Sequence, residues 1–319
     1  MKAVVIRRYG SPDVLRIEDV PRPRCGEAQI LVENHASSVN PVDWKIRRGY
    51  LAPFLLWRFP RVLGFDLCGR VVESGRQVSG FQPGDRVYAR SDGWTGRAYA
   101  QFTALAASAV APKPESLSVE EAAAVPLAAL TALQALRDLG GLQAGQKVLV
   151  VGASGGVGHF AVQIAKALKA RVTGVCGTRN LELVRDLGAD DVIDYTQRDP
   201  FQDARRYHIV FDAVDAHSYS KSRSCLESGG RYITTLPSAG NLWWALWTAL
   251  RPGKKCAIIK VKPVGEDLRL LNSFIQSAQL RPVIDSTFEL EDIAQAHQRS
   301  ESGHVTGKVV IRIPRPEGR

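Results

Sequence analysis

The hydrophobic pattern of residues 1–112 consists of short apolar runs between clusters of proline and glycine. Apolar runs lie at Ala3–Ile6, Ile30–Val32, Val71–Val72 and Arg86–Tyr88, and the segments PRPRCGE and FQPGD separate them. Short runs bounded by Pro and Gly are typical of strands joined by turns. The pattern therefore predicts a compact, mostly β, barrel-like domain.

The pattern changes at Ser118. Ser118 and Glu121 have the spacing of a capping box and stand before the alanine-rich run AAAVPLAALTALQAL. A helix is expected to begin there. Pro126 lies inside the run and should kink that helix, because proline lacks the N–H that a helix interior needs.

From Lys147 onward, strand and helix patterns alternate. The strand patterns are KVLVV, RVTGV, DVIDY, YHIVFDAV and RYITTL, and the helix patterns between them are FAVQIAKALKA, LELVRDLG and SYSKSRSCL. Strands that alternate with helices of this length form parallel βαβ units. We expect a doubly wound parallel sheet here, so the fold class is α/β.

Composition narrows the class of protein. A chain of 319 residues with 45% apolar residues is expected to form two globular domains. The segment MKAVVIRRYG does not resemble a secretory signal, and no apolar stretch approaches the ~20 residues of a membrane span, so a soluble, cytoplasmic protein is expected. The five cysteines lack CxxC spacing, which predicts reduced thiols. The net charge of +10 comes from scattered residues, so no nucleic-acid partner is expected.

A glycine-rich turn follows the strand KVLVV. The sequence GASGGVG runs directly into a helix pattern, and the glycines permit close approach of backbone N–H groups to a pyrophosphate. We expect Ser154, Gly155, Gly156 and Val157 to bind a dinucleotide. A tight turn without any ligand is the alternative.

The end of the next strand bears on which dinucleotide binds. An acidic residue there would bind the ribose of NAD, but the segment GVCGTRN contains none. Arg179 offers a bidentate donor to a 2′-phosphate, Gly177 and Thr178 adjoin it, and Tyr195 ends the following strand. NADPH is therefore the expected cofactor. A surface arginine without a ligand, and a tyrosine that only packs, are the alternatives.

Several segments together resemble one family. SSVNPVDWKIRRG, VLGFDLCGRVVESG, FQPGDRVYA, GASGGVGHFAVQIAKALKARVTGVCGTRN and GHVTGKVVI are similar to quinone oxidoreductases of the medium-chain dehydrogenase/reductase superfamily. The resemblance implies a GroES-like β-barrel catalytic domain at 1–121 and 265–319, and a Rossmann NADPH-binding domain at 122–264. A homodimer is also implied.

The sequence departs from the zinc-dependent members of that superfamily. Their early cysteine is replaced by the Asn40–Asp43 segment, their GHE by Gly64-Phe65-Asp66, and the structural lobe of four cysteines is missing. Phenylalanine cannot bind a metal, and the two aspartates lack the nitrogen and sulfur donors of a catalytic zinc site. No metal is expected. Without a Lewis acid, reduction of a quinone or an α,β-unsaturated carbonyl is the favoured chemistry.

Candidate catalytic residues follow from the resemblance. Asn40 matches an asparagine near the nicotinamide and the substrate, and Lys45 matches a lysine that faces the cofactor ribose. Tyr50 is a further candidate donor, or a hydrophobic lid residue. The alternatives are an Asn-Pro turn for Asn40 and an exposed helix lysine for Lys45. The loops 49–61 and 237–253 are expected to form the substrate pocket.

The resemblance also implies cofactor contacts outside the glycine turn. Thr131 matches a contact to the nicotinamide carboxamide, Lys308 matches a C-terminal lysine that reaches the cofactor, and Leu236 at the end of RYITTL is a further contact. A threonine bonded to its own helix backbone and a lysine at a strand edge are the alternatives.

One segment fits none of these roles directly. NLWWALWTAL at 241–250 is apolar nearly all round, and residues 251–262 add Arg251, Lys254, Lys255, Lys260 and Lys262 without an acid. A pocket wall or a dimer interface is favoured, because the run is short and lacks a separate polar face. Peripheral membrane contact through 241–262 stays open.

Two other functions compete with the reductase. An enoyl-thioester reductase would use the same NADPH site with a different pocket. A non-enzymatic NADPH-regulated binding or scaffold protein would suit the basic charge, but no RNP-like or KH-like signature supports RNA binding.

Overall fold

The computed structural model describes residues 1–50, 52, 59–202 and 206–316. They divide into two compact units: Met1–Leu127 with Pro263–Gln276 and Pro282–Arg319, and Ala128–Lys262 with Ser277–Arg281. The expected boundaries were at 121/122 and 264/265. Each unit has its own hydrophobic core.

The chain begins with the β-rich part of the first unit. Its elements are, in order, β1 (Lys2–Ile6), a 3-10 turn (Pro12–Val14), β2 (Arg16–Asp19), β3 (Gln29–Val39), α1 (Pro41–Arg47), β4 (Arg61–Val62), β5 (Asp66–Ser74), β6 (Arg86–Arg90), β7 (Phe102–Ala106), a 3-10 turn (Ala107–Ala109), β8 (Val110–Pro112) and α2 (Val119–Ala124). The next helix, α3 (Pro126–Gln134), belongs to the second unit from Ala128 onward.

The capping box at the start of α2 is present as expected. Ser118 Oγ accepts the N–H of Glu121 at 3.1 Å, and the Glu121 carboxylate accepts the N–H of Ser118 at 2.8 Å. Pro126 separates α2 from α3, because proline cannot continue the hydrogen bonding of the preceding turn. The alanine-rich run is thus two helices and not one kinked helix.

The second unit contains the alternating strands and helices. After a π-helical turn (Ala135–Leu139) come β9 (Lys147–Val151), α4 (Gly158–Ala167), β10 (Arg171–Cys176), a 3-10 turn (Thr178–Asn180), α5 (Leu181–Asp186), β11 (Asp191–Asp194), β12 (Tyr207–Asp212), α6 (Tyr219–Ser222), a 3-10 turn (Arg223–Cys225), β13 (Leu226–Thr234), α7 (Ala239–Ala249) and β14 (Lys255–Ile258).

These strands form a parallel six-stranded sheet in the order β11-β10-β9-β12-β13-β14. The central strand β9 is buried after its first residue, as expected for a strand covered on both faces. The order reverses beside β9, which makes its carboxyl end the topological switch point where ligands bind in such sheets. The expected doubly wound sheet is confirmed. The edge strand β14 had no counterpart among the predicted strands, because KCAI is short and irregular in pattern.

The C-terminal part returns to the first unit. It contains α8 (Gly265–Gln276), β15 (Ile284–Glu289), a 3-10 turn (Leu290–Asp292), α9 (Ile293–Glu301) and β16 (Lys308–Arg312). β15 and β16 join a seven-stranded sheet in which β16 pairs with β3 in antiparallel register, Val309 opposite Val39. A three-stranded sheet, β2-β1-β4, lies in the same unit. No helix of the described residues is long and apolar enough to cross a membrane.

Candidate functional sites

The first unit contains a buried cluster of polar side chains, here called the polar cluster. It consists of Ser38 at the end of β3, Asn40 and Asp43 at the start of α1, Asp66 at the start of β5, Tyr99, and Lys308 at the start of β16. All six side chains are at least nine-tenths buried. Buried polar groups are stable only when they are hydrogen-bonded, so the cluster has to satisfy itself.

Asp66 is the centre of the polar cluster. Its Oδ2 accepts hydrogen bonds from Ser38 Oγ at 2.6 Å and from Asn40 Nδ2 at 2.8 Å, and lies 3.5 Å from Lys308 Nζ. Its Oδ1 accepts the N–H of Leu127 at 2.7 Å. Both carboxylate oxygens are therefore engaged, by four donors from three separate stretches of the first unit.

Asn40 and Lys308 bond to each other. Lys308 Nζ donates to Asn40 Oδ1, and Asn40 Nδ2 also lies 3.3 Å from the carbonyl of Ser38. The amide of Asn40 is engaged at both of its ends, inside the protein. Lys308 is likewise no exposed strand-edge residue, contrary to the alternative raised from the sequence.

Charge in the polar cluster is nearly balanced. Burial raises the pKa of Asp43 to about 7, and the neighbouring Asp66 carboxylate adds to the rise, although the N–H of Asn40 donates to Asp43 at 2.8 Å. Burial lowers the pKa of Lys308, opposed by the carboxylates of Asp66 and Asp43. The arrangement at neutral pH is an ammonium paired with Asp66, beside an Asp43 poised between its neutral and ionised forms.

The other candidate catalytic residues lie at the opposite end of α1. Lys45 is partly exposed, and its Nζ lies 5.5 Å from the centre of the Trp44 ring. Tyr50 is 58% exposed and contacts Trp44 edge to face, with ring centres 6.3 Å apart. Both residues are therefore more exposed than Asn40, which is 2% exposed. Of the loop expected at 49–61, residues 51 and 53–58 lie outside the described residues.

The second unit holds the glycine turn at the carboxyl end of β9. Gly152 has a φ of +75°, and a Cβ on Gly158 would lie 1.9 Å from the carbonyl oxygen of Gly152. Only glycine fits such a close backbone approach. Among the described residues, the N–H groups of Gly156 and Val157 have no backbone acceptor, so they are available at the start of α4. Ser154 Oγ accepts Asn180 Nδ2 at 3.0 Å.

The region after β10 and β11, which was expected to bind the 2′-phosphate, is accessible to solvent. Arg179 is exposed in the turn after β10, and Tyr195 is 59% exposed after β11. The Tyr195 hydroxyl lies about 3.4 Å from where a Cβ of Gly177 would be, so the structure brings Tyr195 and Gly177 together. Thr178 differs from expectation: its hydroxyl donates to Asp194 Oδ2 at 2.6 Å and is not a free donor.

Two further candidates lie elsewhere in the second unit. Thr131 is buried in α3. Leu236 follows β13, where its carbonyl accepts Asn241 Nδ2 at 3.3 Å and its N–H donates to Thr234 Oγ1 at 3.3 Å. Asn241 and Thr234 also bond Asp215, so a polar network fixes the backbone at Leu236. Sequence reasoning missed this network, because Asn241 stands inside an otherwise apolar run.

Sequence reasoning also missed Val214. This exposed valine follows β12, and its Cγ1 lies 2.5 Å from where a Cβ on Gly152 would be. Asp212 orders this loop by accepting the N–H groups of Val214 and His217 at 3.2 and 2.9 Å. An exposed apolar side chain beside the switch point has the character of a ligand contact. The sequence placed Val214 at the end of the predicted strand YHIVFDAV, whereas the observed strand ends at Asp212, so the valine lies in the loop.

A doubly wound sheet with a glycine turn, accompanied by a separate β unit, is the architecture of dinucleotide-dependent dehydrogenases and reductases. Residues 26–115 match the alcohol dehydrogenase GroES-like domain, and residues 187–311 match the zinc-binding dehydrogenase family. The chain belongs to the medium-chain dehydrogenase/reductase superfamily and to its quinone oxidoreductase branch. The predicted fold and family are confirmed, and the protein is an NAD(P)H-dependent oxidoreductase.

Three similar proteins illustrate the match. The chloroplast envelope quinone oxidoreductase homolog of Arabidopsis thaliana is 36% identical over 92% of this chain and 91% of its own. The 2-methylene-furan-3-one reductase of Solanum lycopersicum is 35% identical over 98% of this chain and 79% of its own. The Escherichia coli quinone oxidoreductase, solved in complex with NADPH, has a TM-score of 0.83 and 26% identity over 98% of this chain and 100% of its own.

The zinc that the family description names does not fit the residues of this chain. Phe65 is buried in a hydrophobic core, and the oxygens of Asp66 are engaged by protein donors that include an ammonium group. No group of three His, Cys, Asp or Glu side chains in the described ranges could hold a metal ion. A dinucleotide does fit: the second unit offers a backbone cradle that a Cβ would fill and an exposed arginine beside it.

Proposed function

We propose that the protein is a zinc-independent, NADPH-dependent oxidoreductase that reduces quinones or α,β-unsaturated carbonyl compounds by hydride transfer. The observation that carries the proposal is the engagement of Asp66 by Lys308, Asn40 and Ser38. These donors engage Oδ2, and the N–H of Leu127 engages Oδ1, so Asp66 is poorly suited to bind the Lewis acid that oxidation of a simple alcohol would require to stabilise an alkoxide. Reduction of a conjugated acceptor needs only hydrogen-bond donors.

The chain's own residues divide this work. NADPH supplies the hydride when bound. Lys45, which is partly exposed, and Tyr50, which is 58% exposed, are proposed to donate hydrogen bonds to the oxygen on which charge develops. Asn40, whose amide is engaged inside the polar cluster, is proposed as a positioning residue that holds the start of α1. The proton taken up after hydride transfer comes from water.

NADPH is proposed over NADH because of the residues that follow β10 and β11 in the second unit. Arg179 offers a planar pair of donors to a 2′-phosphate. Asp194, the nearby carboxylate, already accepts Thr178 Oγ1 at 2.6 Å, Thr196 Oγ1 at 2.7 Å and the Thr196 N–H at 2.9 Å. An engaged carboxylate is poorly placed to select a ribose hydroxyl. Gly177 and Tyr195 complete the proposed phosphate site. Thr131, Leu236 and the glycine turn are proposed to bind the remainder of the cofactor.

Lys308 is proposed to act on the cofactor only indirectly. Its ammonium is inside the polar cluster, so the direct contact expected from the sequence would require the Asn40 bond to break. The role of Lys308 in this function is to neutralise Asp66.

The experiment follows oxidation of NADPH and of NADH against a para-quinone, a short enal, a long-chain enone, a simple aldehyde and an enoyl thioester, with and without a chelator. NADPH should be preferred, the chelator should have no effect, and turnover should be confined to quinone or enone. The name of the 2-methylene-furan-3-one reductase relative favours the conjugated-carbonyl arm. Turnover of the thioester alone would make the protein an enoyl-thioester reductase, and cofactor binding without any turnover would favour a scaffold.

Arg179→Ala tests the cofactor claim. Loss of charge-assisted hydrogen bonds to the phosphate should raise KM for NADPH roughly tenfold or more, with little change for NADH. Arg185→Ala removes another exposed arginine, in α5, and is the matched control. Equal effects of the two substitutions would contradict the assignment.

We also propose a homodimer in the cytoplasm, as the family resemblance and the sequence suggested. Light scattering of the purified chain and cell fractionation test these two points.

A further inference from the structure

Helix α7 presents an apolar stripe to solvent. Leu246 is 70% exposed, Leu250 at its C-terminal end is 90% exposed, and Trp243 is 62% exposed; Leu242 is exposed beside them. At 3.6 residues per turn these four positions lie within roughly 100° of the helix circumference. They form one continuous surface, here called the apolar stripe.

The opposite face of α7 packs onto the second unit. Trp244 contacts Tyr219 with ring centres 5.2 Å apart, and Thr248 Oγ1 accepts the N–H of Cys256, in β14, at 3.0 Å. Asn241 is buried on the same face. The helix is therefore held by its polar and aromatic face, so the apolar stripe is not needed for the packing of this unit.

A basic pocket adjoins the apolar stripe. A cavity of about 830 Å³ is lined by Arg206, Arg223, Arg251, Lys254, Trp247 and Glu227, among others. Arg251 stacks on Trp247 at 4.0 Å, which places a cation at the margin of the stripe. Lys254 Nζ donates to the carbonyl of Arg223 at 2.8 Å, which brings two basic residues together.

The basic pocket is separate from the proposed cofactor site. Leu226 and Lys254 stand at the amino ends of the parallel strands β13 and β14, whereas the glycine turn follows the carboxyl end of β9. In a parallel sheet, amino and carboxyl ends lie at opposite edges. A ligand at the pocket would not compete with NADPH.

We propose that the apolar stripe and the basic pocket together dock this protein onto a bilayer that contains anionic phospholipid. The leucines and Trp243 enter the boundary between headgroups and acyl chains, and Arg223, Arg251 and Lys254 bind lipid phosphate. Tryptophan is enriched at the boundary between membrane and water, and here Trp243 lies on an apolar surface with cations beside it.

The positive charge of the basic pocket makes a second copy of the chain a poor partner for this surface. Two copies related by a twofold axis would present the same surface to each other. If the axis passed near the pocket, the guanidinium and ammonium groups of one copy would lie near those of the other, with Glu227 as the one carboxylate among the lining residues. An anionic surface complements this pocket, whereas a copy of it does not.

Vesicle co-sedimentation of the full chain tests the proposal. One set of vesicles is phosphatidylcholine alone, and the other is an equal mixture of phosphatidylcholine and phosphatidylserine. Binding should require the anionic lipid and weaken with salt. Leu246→Glu with Leu250→Glu should reduce binding by roughly tenfold or more, and Arg251→Glu by roughly fivefold or more. Acyl-brominated lipid should quench tryptophan emission, and less so in Trp243→Phe.

Matched controls lie in the first unit. Leu270→Glu changes an exposed leucine of α8, and Arg16→Glu changes an exposed arginine of β2; neither should alter vesicle binding. Circular dichroism and thermal unfolding establish that every variant is folded.

Three outcomes would overturn the proposal. Equal loss of binding in the controls would mean that net charge alone attracts the chain. Dissociation of a dimer by the Leu246 and Leu250 substitutions, without vesicle binding by the parent, would make the stripe an interface between copies. Binding of inorganic pyrophosphate that depends on Arg223 and Arg251, again without vesicle binding, would assign the pocket to a soluble anion.

Discussion

Two basic residues, Lys308 and Arg179, were both expected to bind the cofactor. The structure buries the first and exposes the second. Lys308 is 3% exposed and bonds to Asn40 beside Asp66, in the polar cluster of the first unit. Arg179 is exposed beyond β10 in the second unit, at the edge of the glycine turn. A buried cation is available to its internal partners alone, whereas an exposed one is available to a ligand.

We infer from this difference that the polar cluster stabilises the first unit, whereas the exposed region around Arg179 in the second unit, proposed to bind the cofactor phosphate, contributes little to stability. Substitutions should therefore separate into those that change the free energy of unfolding and those that change cofactor affinity.

The largest effect is expected for Lys308→Met. The substitution removes the ammonium and leaves Asp66 buried without its cation, which should lower the free energy of unfolding by about 3–5 kcal/mol. Denaturant unfolding measures the loss. Lys308→Met combined with Asp66→Asn should recover part of it, because both charges are then absent. If Lys308→Met alone were as stable as the parent, the ion pair between Lys308 and Asp66 would not stabilise the fold.

Asp43→Asn should change how stability depends on pH. Burial raises the pKa of Asp43 to about 7 in the folded chain, above its ordinary value of 3.8. The folded state thus binds the proton more tightly than the unfolded state, and this stabilisation, present below pH 4, is lost as pH rises to 7. Asparagine keeps the acceptor for the Asn40 N–H and does not ionise.

Relative to the parent, Asp43→Asn should therefore gain stability between pH 4 and 7, by on the order of 3 kcal/mol. Thermal unfolding across this range measures it. His297, whose burial lowers its pKa to about 3, gives the opposite pH trend but is present in both proteins, so it cancels in the difference. Parallel curves for the two proteins would refute the raised pKa.

Gly158→Ala should have an intermediate effect. A Cβ there would meet the carbonyl oxygen of Gly152 at 1.9 Å, so the turn has to move, at a cost of roughly 1–3 kcal/mol, and NADPH should bind less tightly. Gly240→Ala, where a Cβ would meet no atom within 4 Å, is the control. Unfolding and cofactor titration of both variants test whether Gly158 lies as close to the carbonyl of Gly152 as the structure shows.

The smallest effect on stability is expected for Arg179→Ala. An exposed side chain of this kind contributes within about 0.5 kcal/mol, so the unfolding midpoint should hardly move while the preference for NADPH falls. A loss of stability comparable to that of Lys308→Met would remove the distinction between the two regions.

Local patterns were enough for much of the fold. The capping box at Ser118 and the alternating strands from Lys147 each depend on residues close in sequence, because helix caps and hydrophobic periods act over a few residues. The glycine turn was recognisable for the same reason: the strand, the turn and the helix are consecutive.

The tertiary structure decided the remainder. Asn40, Asp66 and Lys308 are far apart in sequence, and they meet because β3 pairs with both β5 and β16. The run NLWWALWTAL is apolar nearly all round, so its pattern could not tell which side would face β14 and which would face solvent. Burial and charge pairing depend on neighbours distant along the chain, and a one-dimensional pattern contains no information about which of them meet.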